Sequence, residues 1–272
     1  YIYMDLIHGD CFDKLIDIPD KSVDFVYLDL NYNQTACKWD KDVIDLQALW
    51  VHLKRIARND RTPFFFSCTT RFGFNLIKAN EKWFRWDLVW KKNRAAGFLN
   101  AYKLPMRKHE MIYCFAKKSP EYDVSSHKTG EEVVKPASKD NIYLMEHSTG
   151  GKECMTKPHK GQVLNEPLPT SDITPPPIDI DEEESPSSWC EFNNDEKTGH
   201  RTAKPVALME FLLKYWTKPG WTVLDPTMGS GSMGIACKKM GRNFIGMELD
   251  EDIYKLACNR IEKASCSLYF VE

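Results

Sequence analysis

The chain has 272 residues, 42% hydrophobic and 28% charged, which suits one large globular domain or a core carrying an inserted module. Its apolar runs, Phe64-Phe65-Phe66 among them, fall far short of the roughly 18 residues a membrane span needs, and no basic-then-apolar signal pattern follows Tyr1, so an intracellular protein with no membrane partner is expected. The formal net charge of −2 hides a split: residues 121–198 carry 7 Lys and Arg against 17 Asp and Glu, and the remainder is basic, 30 against 22.

In chain order, strands are predicted at Ile2 to Ile7, Val23 to Leu28, Pro63 to Ser67, Trp86 to Trp90 and Met111 to Phe115, where short β-branched or aromatic runs occur. Val43, Leu46, Leu49, Trp50, Leu53 and Ile56 recur every three or four positions and form one face of a helix after the second strand. Residues 78–118 hold 11 basic and 3 acidic side chains, with Lys91, Lys92, Arg94 and Lys108 interleaved among Trp83, Trp86, Trp90, Phe98 and Tyr102. Cations neutralise phosphates and aromatic rings stack on bases, so nucleic acid is one partner this composition suits; a solvated face over a Trp-containing core is the other reading. Residues 121–198, with Pro167, Pro169, Pro175, Pro176, Pro177 and the acidic run Asp179 to Glu184, read as a loop-rich insertion.

After the insertion a helix is predicted from Pro205 through Trp216, then strands at Thr222 to Leu224 and Asn243 to Gly246, with helices after Gly231 and after Asp250. Strands alternating with helices make an α/β protein, a mostly parallel sheet with helices on both faces, in which ligands bind beyond the carboxyl ends of the strands. Three segments follow: 1–120, the insertion 121–198, and 199–272. Nine cysteines, no two closer than Cys258 and Cys266, write neither a Cys-x-x-Cys knuckle nor a disulfide framework, so reduced thiols are expected. The sequence has no Met at its head, which leaves an upstream segment open.

The strand ending at Asp225 runs into Pro226-Thr227-Met228-Gly229-Ser230-Gly231-Ser232-Met233-Gly234, a Gly-x-Gly-x-x-Gly between strand and helix. Such glycines let a ligand approach the backbone and the helix amides, and Glu248, nineteen positions after Gly229, closes the next strand where a carboxylate can accept from both ribose hydroxyls. An adenosine-type cofactor fits. Asp225 would repel a pyrophosphate and attract an ammonium or sulfonium, which favours S-adenosylmethionine over a nicotinamide dinucleotide. A glycine turn serving only tight strand-helix packing is the plainer alternative.

With these residues in hand, the chain resembles the amino-group DNA methyltransferases. Asp225 to Gly231 looks like that family's cofactor loop, and Phe244-Ile245-Gly246-Met247-Glu248 like its ribose-binding strand. Gly199-His200-Arg201-Thr202-Ala203-Lys204-Pro205 is similar to its His-Pro-Thr-x-Lys-Pro segment, and His8-Gly9-Asp10-Cys11 to its adenine-contacting turn. Asp29-Leu30-Asn31-Tyr32 resembles its catalytic Asp-Pro-Pro-Tyr tetrapeptide, and Lys38-Trp39-Asp40, Gly97 to Ala101 and His109-Glu110 resemble phage- and prophage-type adenine methylases. The order of these motifs matches the circularly permuted β group.

The resemblance implies a Rossmann-like methyltransferase fold whose insertion is the target-recognition region, between the catalytic half 1–120 and the cofactor half 199–272. It implies S-adenosylmethionine as cofactor, S-adenosylhomocysteine as product, no metal, and DNA as partner, with a homodimer left open. Asp29, Leu30, Asn31 and Tyr32 would be catalytic. Asp10, Cys11, His200, Thr202, Lys204, Asp225, Pro226, Met228, Gly229, Ser230, Gly231 and Glu248 would hold the cofactor, with Lys204 at its methionine end. Lys91, Lys92, Arg94 and Lys108 would grip DNA. The expected activity is transfer to the N6 amino group of adenine in a restriction-modification, phage or viral setting. That places the protein in the cytoplasm, or the nucleus of a eukaryote. N4-cytosine transfer and a catalytically degenerate DNA- or cofactor-binding homologue are the alternatives.

Asn31 stands where the family has proline, restoring an N–H and loosening the turn. Asn31→Pro is expected to raise methyl transfer over the parent in a labelled-cofactor assay; an unchanged rate would remove the argument.

Overall fold

The computed structural model describes residues 2–30, 44–98, 101–123, 188–193 and 203–265, apart from the side chains of Arg94 and Ala96. The chain divides into two compact units, one made of Tyr1–Ser126 with Pro186–Glu272 and the other His127–Ser185. The second unit, with the acidic run Asp179 to Glu184, lies outside the described residues.

The first unit is built on one eight-stranded sheet. In chain order it comprises β1 (Met4–His8), α1 (Cys11–Leu15), β2 (Phe25–Leu28), α2 (Leu46–Ile56), β3 (Phe64–Cys68), α3 (Thr70–Ala79), β4 (Phe84–Ala96) and β5 (Arg107–Phe115). It continues with β6 (Trp189–Glu191), α4 (Val206–Trp216), β7 (Thr222–Asp225), α5 (Ser232–Met240), β8 (Asn243–Glu248) and α6 (Glu251–Lys263). The strand order is β1-β8-β7-β2-β3-β5-β4-β6, and only β5 runs against its neighbours.

Alternation along the central strands sorts side chains between two cores. Phe25, Tyr27, Phe65, Val223 and Phe244 face α4, α5 and α6, and pack on Leu208, Leu212, Ala236 and Ile261. Val26, Leu28, Phe64, Phe66, Leu224 and Met247 turn to the other side, where Leu15, Leu49, Trp50, Leu53 and Leu76 cover them. Strands covered on both faces need no polar alternation, which is why β2 and β3 read as continuous apolar runs and are buried at every residue. Trp50 sits at the centre of the second core, its ring 5.3–5.6 Å from those of Phe64, Phe66 and Phe115.

Side-chain caps start α2 and α6, and backbone-shaping residues start α4 and α5. Asp45 accepts from the amides of Gln47 and Ala48 at α2, and Asp250 from those of Asp252 and Ile253 at α6. Pro205, expected inside the first turn of α4, is its N-cap, and α5 is bracketed by Gly231 and Gly241, both left-handed.

Helices α1 and α3, strand β6 and the outer half of β4 escape the sequence pattern. Helix α3 contains Gly73 between two phenylalanines, a weak helical signal; a Cβ there would lie 2.2 Å from the buried Tyr113 ring, so the glycine is what lets α3 lie against β5. Strand β4 runs on past Trp90 through residues 91–96, three of them basic, paired with β5 out to Ala96 opposite Arg107. Three residues of the stretch expected as insertion, Trp189–Glu191, add a parallel edge strand to β4. Gly73→Ala is expected to destabilise the fold by about 2 kcal/mol through overpacking against Tyr113, read as a lower denaturant midpoint at unchanged slope.

Candidate active site

Strands β7 and β2 are adjacent and parallel, but β7 leads on to β8 on one side and β2 to β3 on the other. A crevice opens at the carboxyl ends of two strands that diverge in this way. Reading across the sheet, β1, β8, β7 and β2 end at or just before Asp10, Glu248, Asp225 and Asp29. Neighbouring strands stand about 4.8 Å apart, so this row of carboxylates is an elongated acidic shelf.

Each carboxylate is tied down locally. Asp10 caps α1, accepting from Phe12 N–H at 2.8 Å, and the Gly9 amide, in a residue with φ of 143°, donates to the Glu248 carbonyl at 2.9 Å. Glu248 accepts from the Gly229 amide at 3.0 Å and from the Asp250 amide at 2.9 Å, joining the glycine loop to the end of β8. Asp225, 3% exposed, accepts from the Thr227 amide at 3.1 Å. Burial pushes its carboxyl up to about 8; Asp29 and Glu248 add to the rise, and the Thr227 amide holds it down only in part. Thr227 Oγ1 in turn accepts from the Asp29 amide at 3.0 Å. One threonine thus couples the glycine loop to the turn that carries Asp29.

The loop glycines divide their work. Gly229 and Gly231 have φ of 52° and 80°, which only glycine adopts cheaply. A Cβ on Gly231 or Gly234 would lie 2.9 or 2.5 Å from Ile261, so these two let α6 pack closely, as the plainer reading expects. Ser230 takes a hydrogen bond from Arg260 of α6 to its hydroxyl at 2.8 Å, and Met228 and Pro226 are buried. Cys11 is half-buried, its thiol pushed up to about 11 by burial, then by Asp10 and Glu248.

Beyond Asp29 the sign alternates. Lys204, just before α4 and 10% exposed, sets its ammonium on Asp29 Oδ2 and lies 3.6 Å from Glu110 Oε2 on β5. Lys92 of β4 pairs with Glu110 Oε1. Burial and Glu110 push the Asp29 carboxyl above its ordinary range against the pull of Lys204. The resemblance set Lys204 toward a cofactor's methionine end; here its ammonium faces Asp29. Leu30 is 3% exposed in the core, which leaves its carbonyl as its functional group.

Lys92, expected on DNA, turns inward to Glu110 because β4 and β5 bring the two side chains together in a buried place. Lys91 is half-buried, paired with Glu191 at 2.8 Å and 5.6 Å from the Trp189 ring, and Lys108 is exposed. Asn31, Tyr32, His200, Thr202 and the Arg94 side chain lie outside the described residues. Thr227 and Glu110 were not among the expected site residues, although both stand inside quoted motifs. Among the described residues no group of three or more His, Cys, Asp or Glu side chains could hold a metal ion, and no helix is long and apolar enough to cross a membrane.

Comparison with known proteins places this geometry. The chain is similar to the Type II methyltransferase M.HinfI of Haemophilus influenzae, at 23% identity over 95% of this chain and 68% of that protein. It is similar to the DNA adenine methyltransferase YhdJ of Escherichia coli strain K12, at 24% identity over 96% of this chain and 83% of that one. In fold it is like the crystal structure of the M1.HpyAVI-SAM complex, with TM-score 0.59 and 21% identity over 94% of this chain and 99% of that one. It is also like the cytosine-N4-specific PvuII DNA methyltransferase, with TM-score 0.62 and 12% identity over 95% of this chain and 86% of that one. A family profile described as DNA methylase matches residues 23–259, and the chain belongs to that family.

Proposed function

We propose that the protein is a site-specific DNA methyltransferase that transfers a methyl group from S-adenosylmethionine to the N6 amino group of adenine, in a restriction-modification, phage or viral setting and in the cytoplasm. The observation that carries this reading is the Asp29 carboxylate at the divergence of β7 and β2, its backbone amide fastened to Thr227, next to the glycine loop and followed by the Leu30 carbonyl. The names of the adenine-directed relatives and Asp, not Ser, at position 29 favour adenine over cytosine N4.

The residues present fit the cofactor. The buried Asp225 carboxyl beside a glycine loop suits a cationic ligand, and Glu248, fixed in place by the Gly229 amide, suits ribose hydroxyls. S-adenosylmethionine, when bound, supplies an electrophilic methyl group on a sulfonium. The exocyclic amino group is a poor nucleophile because its lone pair is delocalised into the ring. Asp29 and the Leu30 carbonyl accept its two N–H bonds, favouring a pyramidal nitrogen whose lone pair is aimed for in-line attack. The nitrogen that gains the methyl group must shed a proton, and Asp29, with its carboxyl raised by burial, is the acceptor at hand. A paired base cannot reach this turn, so the target must leave the duplex. The direct transfer asks for no metal, and residues 121–198 act as the target-recognition region.

Labelled N6-methyladenine from mixed-sequence duplex DNA, lowered at least about a hundredfold in Asp29→Ala, is the expected result. Labelled N4-methylcytosine instead would move the reading to cytosine, and cofactor binding without transfer to the degenerate homologue that Asn31 suggests.

Asp225 gives a second prediction. Its carboxyl, raised to about 8, holds its proton at neutral pH, and a cationic cofactor prefers the carboxylate. Binding therefore expels a proton, and affinity rises as pH rises toward 8, by up to about tenfold per pH unit. Calorimetry should find S-adenosylmethionine binding tighter at pH 7 than at pH 6, with proton release, and should find neither effect in Asp225→Asn. A pH-independent affinity in the parent would contradict this role.

A further inference from the structure

Among the described residues, a cluster of largely buried charges that the reaction above leaves unused lies beside Asp29. Glu110 on β5 has a side chain 12% exposed; its Oε1 is taken by Lys92 of β4, itself 18% exposed and 5.0 Å over the Trp90 ring. Its Oε2 is buried, has no hydrogen-bond partner, and lies 3.6 Å from the Lys204 ammonium that sits on Asp29. Four charges from four segments therefore alternate in a line, Lys92, Glu110, Lys204 and Asp29.

A buried carboxylate oxygen without a donor is costly, and structures keep few of them. An ammonium has three donors and needs acceptors for them when buried. A target N–H that takes the place of the ammonium on Asp29 Oδ2 displaces Lys204, and an ammonium displaced into a buried site with no second anion would carry a large desolvation penalty. Glu110 Oε2 is that anion. From 3.6 Å, Lys204 reaches charge-assisted bonding distance with a shift of about 1 Å.

We propose that Glu110 is a positioning residue that receives the Lys204 ammonium when the target amino group takes its place on Asp29. Lys92 anchors Glu110 from behind, so the line keeps zero net charge before and after the exchange. The titration directions agree. Burial works to raise Glu110, but Lys204 and Lys92 outweigh it and keep it an anion, while Asp29 and Glu110 lift Lys204 well above its ordinary value despite burial. The exchange rests on the methyl-transfer reading of the site.

Single-turnover methyl transfer across the neutral pH range tests it, in the parent, Glu110→Gln, Glu110→Asp, Lys204→Met and the Lys204→Met/Glu110→Gln pair. S-adenosylmethionine affinity and melting temperature are measured on each. Lys204, Glu110, Lys92, Asp225, Tyr27 and Cys68 are the titratable groups around Asp29. Glu110 raises Asp29, so its neutralisation is expected to move the acid limb of the rate profile to lower pH. The plateau rate of Glu110→Gln falls at least about tenfold, with cofactor affinity within about threefold of the parent, and Glu110→Asp recovers most of it. In the Lys204→Met background the Glu110 substitution adds little, because no ammonium has to be received.

A rate within twofold of the parent overturns the proposal. So does a rate that falls only in step with melting temperature and cofactor affinity while the acid limb stays in place, since that is a packing role. Full additivity in the double variant overturns it too. If the parent itself transfers no methyl group, the functional reading fails instead. A carbon-13 carboxyl titration of Asp29 in the parent and Glu110→Gln then decides the coupling without activity: a lower titration in the variant supports it and an unchanged one overturns it.

Discussion

The pairing of β2 with β7 is the constraint on which the rest depends. Both strands are four residues long, and their registered pairs are only Phe25 with Val223 and Val26 with Leu224. So short a ladder is marginal alone, and it is fastened at both ends. At the amino ends Asp24, 7% exposed, receives the Thr222 amide on its carboxylate at 2.9 Å, returns its own amide to the Thr222 carbonyl, and pairs with Arg58. At the carboxyl ends Thr227 bonds Asp225 on one side and Asp29 on the other. On the proposed reading, distortion of this seam would move the methyl-donor side of the crevice relative to the acceptor side, and in-line transfer tolerates little misplacement.

The same seam separates two opposite electrostatic needs. On the β7, β8 and β1 side the strand ends are acidic, which suits a cation and repels DNA; burial leaves Asp225 harder to ionise than an ordinary carboxyl, so the free protein avoids a fully charged shelf. On the β3, β5 and β4 side basic groups enter, and Lys204 and Lys92 balance Asp29 and Glu110. On the proposed reading, a polyanionic substrate and a cationic cofactor meet at Asp29 without either lying over a field of its own sign.

What the sequence could reveal follows from what each feature depends on. Strands covered on both faces betray themselves as apolar runs, and a motif at a strand end fixes its own location, so the sheet, the glycine loop, Asp225, Glu248 and Asp29 were legible. Gly73 hid α3 because its reason is the Tyr113 ring, forty residues away in sequence. Thr227 and Glu110 take their significance from partners across the sheet. Residue type marks them as polar but does not say that one ties the Asp225 carboxylate to the Asp29 amide or that the other lies beside Lys204. Lys92 shows the converse: a basic residue in a basic run looks like surface until β5 sets a carboxylate beside it.

That last point revises how the basic stretch is to be read. Of its cations, Lys92 is spent on Glu110, Lys91 faces Glu191, Lys117 and Lys118 share Asp60, and Arg85 bonds the backbone carbonyls of Lys82, Phe84 and Lys117. Composition counts all of them equally. Of the exposed cations that remain, Lys78 and Lys82 precede the start of β4, whereas Lys103, Arg107 and Lys108 belong to the far end of the β4–β5 hairpin, where Phe98, Tyr102, Leu104 and Met106 are exposed as well. Because β4 runs parallel to β2 and β7, that end projects beyond the same edge of the sheet as Asp29. Phosphate attraction scales with cations that can shed counterions, not with those already paired. The nucleic-acid reading therefore narrows from the whole stretch to the outer hairpin, the part of it with unspent charge and exposed rings on the active-site side.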